Sequence, residues 1–353
     1  MSQRELLEEG ARRRSLGDVE GARNCFRRAV ERSPEAAEAH HHLAASLEAL
    51  GRLDEAEVEY RVALALAPES GSTARALAVL LLSRGRYAEG FALFERRHEL
   101  ADLAKPALPF PEWRGEPVAG RKILVWPEQG FGDQIQFARF APILRRRGAD
   151  VTLVCWPPLA RLFELSLGVR VVPAVGAVEF PDPDYWVMAM SLAARLGLTP
   201  QTLPGGAYLN APPLPTPLAD GARIGLLTRG NPNNANDANR SLGADQAARL
   251  AALAGAVSLD PADTGAQDFA DTAAIVQSLD LVISVDTAVA HLAGALGKPC
   301  WTLLPQANTD WRWLRDRRDS PWYPSMRLFR QSSSGDWAGV IDEVMRALGE
   351  EVR

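Results

Sequence analysis

Residues 121–134 read Arg-Lys-Ile-Leu-Val-Trp-Pro-Glu-Gln-Gly-Phe-Gly-Asp-Gln, and the pattern of the chain changes there. The apolar run Ile123–Trp126 predicts a buried strand, the following glycines a tight turn, and Gln134–Arg147 has helical periodicity. Val151–Cys155 predicts a second strand, which completes a βαβ unit. Working downstream, strands are expected at Val169–Val172 and Tyr185–Met188, followed by the proline-dense connector 211–217. Beyond it the pattern resumes. Strands are expected at Ile224–Leu227, Val257–Leu259, Leu281–Ser284 and Cys300–Leu304, with helices near 244–254, 272–277 and 288–296. Two such lobes turn the carboxyl ends of their parallel strands toward a shared cleft, where ligands of these folds bind.

Upstream of residue 121 the pattern is a repeat. Gly17, Gly51 and Gly85 are spaced 34 residues apart. At fixed offsets after the first two lie Ala22, Phe26, Ala29 and Pro34, then Ala56, Tyr60, Ala63 and Pro68. Small residues permit close helix approach, the aromatic fills the gap, and proline ends the second helix. The pattern resembles tetratricopeptide repeats. After Gly85 the offsets give Gly90, Phe94 and Arg97, so residues 1–98 form about three repeats with a degenerate last one. Arrays of this class hold a peptide or protein on a curved surface. The adjacent histidines His40, His41 and His42 point around a helix rather than toward one ion and are expected at the surface. Residues 99–120 carry Pro106, Pro109, Pro111 and Pro117 and predict a linker with one anchor, Trp113.

Composition narrows the partners. With 39 Lys+Arg against 44 Asp+Glu the net charge is -5, too little cationic excess to track a nucleic-acid backbone. Residues 1–98 hold 15 Arg against 16 Asp+Glu, so charge does not identify what the repeats bind. Cys25, Cys155 and Cys300 are too far apart for a disulfide framework or a zinc motif. The first ten residues carry acids where a signal peptide needs an apolar core, and no run approaches the ~20 apolar residues of a membrane span. A cytoplasmic protein without a membrane span is expected.

Three strand-to-helix turns carry the candidate chemistry. The first, Glu128-Gln129-Gly130-Phe131-Gly132-Asp133, offers close backbone approach and free N–H groups. Its Asp133 is either a general base for an acceptor hydroxyl or a helix cap. The second, Thr228 to Ser241, is rich in Asn. Its Arg240 is either a phosphate-binding fork or part of an Asx-rich loop that caps the next helix. The third, Val285-Asp286-Thr287-Ala288-Val289-Ala290-His291, puts Thr287 and His291 on one helix face, with N–H groups suited to a diphosphate. Asp286 caps that helix or holds a ribose hydroxyl. His291 in an apolar helix is more often a core residue than a ligand. Asp182-Pro183-Asp184 imitates an Asp-x-Asp metal motif but lacks neighbouring ligands. Trp311, Trp313, Trp322 and Tyr323 are either a sugar platform or packing.

Together, Glu128–Asp133, Gly230-Asn231-Pro232, Asn236-Asp237 to Arg240-Ser241, Asp286 to Ala293 and Asp310-Trp311-Arg312-Trp313 resemble the heptosyltransferase-like family 9 glycosyltransferases, in the variant preceded by tetratricopeptide repeats. The resemblance implies an α + α/β chain: a helical repeat array followed by a GT-B body of two Rossmann-like lobes. Residues 121–217 plus a crossing helix, 336–350, would form the acceptor lobe, and 218–335 the nucleotide-sugar lobe. It implies inverting sugar transfer that needs no cofactor and no metal, with a nucleotide sugar as donor substrate. Asp133 would be the catalytic base. Gly130, Gly132, Gln129, Asn231, Arg240, Asp286, Thr287, Ala288 and His291 would bind the nucleotide sugar. Repeat-bearing members look like protein glycosyltransferases, so a protein acceptor, flagellin among them, is the implied partner. Asn233-Asn234, Thr228-Arg229 and a shortened 257–271 segment depart from the family pattern near the donor site. The competing expectations are a catalytically degenerate repeat adaptor, and a transferase directed to lipopolysaccharide or another glycan.

Overall fold

A computed structural model describes residues 1–214, 218, 221 and 223–351. The chain forms two compact units, Met1–Pro106 and Ala107–Arg353.

The first unit is the helical array: α1 Gln3–Ser15, α2 Val19–Arg32, α3 Ala37–Ala49, α4 Leu53–Leu66, α5 Gly71–Ser83 and α6 Tyr87–Phe94. Gly17, Gly51 and Gly85 take φ of +81°, +74° and +74° between the paired helices, a left-handed conformation that suits glycine. In all three turns the N–H of the following residue donates to a carbonyl five residues back, from Asp18 to Arg13, Arg52 to Leu47 and Arg86 to Leu81. The repeat-signature residues Ala22, Phe26, Ala29, Ala56 and Ala63 are fully buried.

The third repeat departs for a packing reason. Arg97 stands where Ala29 and Ala63 stand. It is fully buried, over the Phe94 ring at 4.7 Å, and donates to the Phe94 carbonyl at 3.0 Å. Around it the chain tightens into a 3-10 turn, Glu95–Glu99, so α6 has 8 residues where α2 and α4 have 14. The histidines are a correction, since none is a free surface group. His40 is buried between Glu59 (Nδ1 to Oε2, 2.5 Å) and the Pro34 carbonyl (2.9 Å). His41 meets Thr73 Oγ1 at 3.0 Å, and His42 stacks on Phe26 with centroids 5.1 Å apart. The His41 and His42 contacts tie the second repeat to the third and the first.

The second unit holds two parallel sheets. Strands β1 Lys122–Trp126, β2 Asp150–Cys155, β3 Arg170–Pro173 and β4 Tyr185–Met188 pair in the order β3-β2-β1-β4. Strands β5 Ile224–Leu227, β6 Ala256–Ser258, β7 Leu281–Val285, β8 Cys300–Leu304 and β9 Met326–Arg330 pair in the order β6-β5-β7-β8-β9. The apolar runs of β2, β7 and β8 are those of strands covered on both faces, whereas the edge strands β3 and β6 are half-buried. In each sheet the chain leaves the first strand, β1 or β5, to one side and later returns to the other, which opens a crevice at the carboxyl ends.

Three segments differ from expectation. The linker divides, since residues from Ala107 onward belong to the α/β unit. Trp113 N donates to the Trp186 carbonyl at 2.8 Å and Trp186 N to the Pro111 carbonyl at 3.0 Å, so this stretch extends the β4 edge with Trp113 buried as its anchor. The helix expected over 134–147 begins at Phe131 and breaks at Arg139 into Phe131–Ala138 and Phe140–Arg146. The last helix, Trp337–Glu351, does not cross to the first lobe. Its stripe Trp337, Val340, Ile341, Val344 and Ala347 closes over Leu226, Leu281, Ile283, Trp301 and Phe329 of the second sheet, because that face has a matching apolar surface to bury. The connector at 211–217 falls partly outside the described residues.

Candidate active site

The carboxyl ends of both sheets face a cleft of about 550 Å³ between the lobes. Segments after β1 and β2 form one wall, and those after β5, β6, β7 and β8 the other.

On the first wall the turn after β1 carries Gln129 at φ +58°, an unusual conformation for a side-chain-bearing residue, and Gly130 as N-cap of the Phe131–Ala138 helix. Gly132 is a glycine because the opposite lobe packs on it. A Cβ there would lie 2.7 Å from His291 Cδ2. Asp133, in the first helical turn, turns back to accept from Gly130 N at 2.8 Å through Oδ2. Its Oδ1 accepts from Arg312 of the other lobe. The capping geometry and the placement in the cleft are therefore both present. Burial raises the Asp133 carboxyl above its ordinary value, Asp310 and Glu128 push the same way, and Arg312 opposes them.

On the second wall the 228–241 loop is an Asx-rich turn. Asn231 Oδ1 accepts from Asn233 N at 3.0 Å, Asn234 Oδ1 from Asn236 N at 2.9 Å, and Gly230 N donates to Ser241 Oγ at 2.9 Å. Arg240 is held by Asp237 Oδ1 at 3.1 Å and donates to the Asp286 carbonyl at 2.8 Å. The loop after β5 is thereby fastened to the turn after β7, with Arg240 on the cleft wall.

Thr287 is the extended N-cap of the Ala288–Ala295 helix and makes no side-chain cap. Its Oγ1 lies 3.1 Å from Ser284 Oγ. The first residues of this helix, Ala288 and Val289, line the cleft, so the positive end of the helix faces it. Asp286 beside it is raised to about 6, by burial first and then by Asp310, against the Trp313 indole, Arg240 and Arg312. His291 sits at the seam. It is 6% exposed, hydrogen-bonded through Nδ1 to Tyr323 Oη at 2.9 Å, and against Trp313 at 5.1 Å. Burial and the nearby Arg312 and Arg139 hold it well below its ordinary 6.5, so it is neutral at pH 7.

The structure adds Arg312, which sequence reading left out of the site. It donates through Nη1 to both Asp310 oxygens at 2.9 and 2.8 Å, through Nε to Gln136 Oε1 and through Nη2 to Asp133. The aromatic residues around it are packing, not an open sugar platform. Trp311 is 4% exposed, and Trp313, Trp322 and Tyr323 are fully buried. Asp184 has a structural task, accepting from Lys122 N at 2.8 Å through Oδ2. Among the described residues no three His, Cys, Asp or Glu side chains cluster as metal ligands, and no helix is long and apolar enough to cross a membrane.

Comparison with known proteins gives two family matches. Residues 7–71 match the tetratricopeptide repeat, and residues 241–322 match glycosyltransferase family 9 (heptosyltransferase). The second match takes in Asp286, Thr287, His291 and Arg312 and begins downstream of the first sheet, so it includes neither Asp133 nor Arg240. Protein FlbA of Caulobacter vibrioides is 27% identical over 390 residues, covering 95% of this chain and 65% of that protein. The chain thus spans just under two thirds of the length of this curated relative. Among solved structures, the first tetratricopeptide domain of Spaghetti (RPAP3) bound to an HSP90 peptide matches 28% of this chain and 79% of its own, at 19% identity and a TM-score of 0.28. The TPR2B domain of yeast Sti1 matches 29% of this chain and 85% of its own, at 20% identity and a TM-score of 0.28.

Proposed function

We propose, on the premise that this chain joins tetratricopeptide repeats to a family 9 glycosyltransferase segment, that its cleft transfers a sugar from a nucleotide sugar to a hydroxyl of a protein. The observation that carries the reading is the pairing of opposed walls. Asp133 stands on one, and the start of the Ala288–Ala295 helix with Arg240 and Arg312 on the other. An inverting transfer needs this division. Asp133 takes the proton of the acceptor hydroxyl as its oxygen attacks the anomeric carbon. The bond from that carbon to the phosphate oxygen breaks, and the nucleotide leaves with the electron pair. Helix N–H groups and the Arg240 fork stabilise the charge that develops on the departing phosphate. Gly130, Gly132 and Gln129, which the resemblance assigns to the nucleotide sugar, belong to the turn on the Asp133 wall, and of these Gly130 and Gly132 line the cleft. Asn231, Arg240, Asp286, Thr287, Ala288 and His291 frame the donor. No metal and no cofactor enter this scheme.

The protein acceptor rests on the repeats, and flagellin is the acceptor that the family resemblance implies. Intact-mass spectrometry of a flagellin incubated with the full chain and a panel of nucleotide sugars tests it. A gain of one sugar residue on the protein is expected. Transfer to free glycans by residues 107–353 alone, with none to protein, would favour the glycan-directed alternative.

A further inference from the structure

We propose that Arg312 is a positioning residue for the reading above, the group that one lobe lends to the other to hold Asp133 ionised and aimed. The proposal rests on Asp133 being the base, and it assigns a task to a residue outside that scheme's reacting atoms.

The geometry has three parts. First, Arg312 is 4% exposed and its donors are distributed by direction. One side of the guanidinium is fixed by Asp310 of its own loop, and the other reaches Gln136 and Asp133 on the Phe131–Ala138 helix of the opposite lobe. A planar, rigid fork can hold three partners at set angles, which a lysine ammonium cannot. Second, the two donors on Asp133 take different oxygens, Gly130 N on Oδ2 and Arg312 on Oδ1. The carboxylate is fixed at both ends, and each oxygen keeps a lone pair for a proton from the cleft. Third, backbone strain collects at this contact. Among the described residues, those other than glycine with positive φ are Gln129, Asn308, Leu314 and Asp316. The first lies four residues before Asp133, and the other three flank Arg312 in the loop after β8. Leu314, at φ +53°, is a residue type that rarely adopts this conformation. Strain of this kind persists where surrounding structure imposes it, and here it flanks Arg312 and its ion pairs to Asp133 and Asp310.

The charges around Asp133 explain why the pairing is needed. Glu128 lies on its own turn and Asp310 on the facing loop. Asp286 stands beyond Arg312, and His291, packed on Gly132, is neutral. Burial, Asp310 and Glu128 favour the protonated acid, and Arg312 supplies the opposing cation. A second lobe that moved away would take the cation with it and leave Asp133 to hold its proton. The base is therefore competent only with both lobes in place.

The test needs no sugar donor. In full-length protein with 13C-labelled aspartate side chains, the carboxyl resonance missing from Asp133→Asn identifies Asp133, and its titration is followed in wild type, Arg312→Gln and Arg312→Lys. The midpoint is expected to rise by about one pH unit or more in Arg312→Gln and by less in Arg312→Lys, which keeps the charge but not the fork. If Arg312→Gln does not fold, a rise in Arg312→Lys supports the proposal. Unchanged midpoints in the folded variants would overturn it. Because no transfer is measured, this result stands apart from the activity of Asp133→Asn, on which the underlying reading depends.

Discussion

Asp133→Asn is expected to leave a folded protein that binds nucleotide within a few-fold of wild type and transfers sugar about a thousandfold more slowly, the scale of a lost general base. The asparagine keeps the volume of the carboxylate, and its amide oxygen still accepts one of the two donors, Gly130 N or Arg312 Nη2. It cannot take the acceptor proton. The donor-facing elements, Arg240 and the start of the Ala288–Ala295 helix, lie on the opposite wall and are untouched, so binding and turnover separate. Calorimetry with nucleotide and intact-mass transfer assays read the two quantities. Turnover within tenfold of wild type would remove Asp133 as the base, and a parallel loss of nucleotide affinity would reduce it to a structural cap.

Trp322→Ala is expected to cost about 3–5 kcal/mol of the stability of the α/β unit, the range for a large aromatic removed from a packed interior. Trp322 is fully buried at the seam between the lobes, 6.0 Å from the rings of both Phe137 and Trp311. Arg139 lies over it at 5.3 Å and over Tyr208 and Tyr323 at 4.6 and 4.7 Å. That arginine is 3% exposed and donates to the Gln136, Pro204 and Trp322 carbonyls and the Tyr208 hydroxyl. Removing the indole opens a cavity beside a buried cation that relies on aromatic faces, which adds to the cost of lost apolar contact. Guanidinium unfolding followed by tryptophan fluorescence measures the change. A loss below about 1 kcal/mol would mean that the seam is loosely packed.

The strands were the most legible part of the sequence. Tyr185–Met188, Ile224–Leu227 and Cys300–Leu304 form over the residues their apolar runs predict, because strands buried on both faces leave continuous hydrophobic signals. Strand β9, Met-Arg-Leu-Phe-Arg, did not stand out because it is an edge strand whose Arg327 covers Trp301 and Phe329 with its guanidinium. The helix Pro157–Leu167 was hidden by its opening Pro157-Pro158, which reads as a turn although proline also suits a first helical turn. In the site, the three strand-to-helix turns were legible because glycine and Asx chemistry is local. The bond from Arg312 to Asp133 was not, since it joins residues 179 apart through a tertiary contact between lobes. The Asp310-Trp311-Arg312-Trp313 segment did carry a signal, an arginine set between aromatics and next to an acid, but exposure decides its meaning and sequence does not display exposure.

The proposed transfer depends on the cleft taking a nucleotide. Thermal unfolding of the full chain with UDP, CMP, ADP and GDP, free and as sugar conjugates, tests this most directly, since a ligand of the native state raises its stability by about 2.7 kcal/mol at a hundred times its Kd. A clear rise with one nucleotide is expected, reduced in Arg240→Ala. No rise with any of them at millimolar concentration would contradict it and leave the chain a repeat adaptor with a silent cleft.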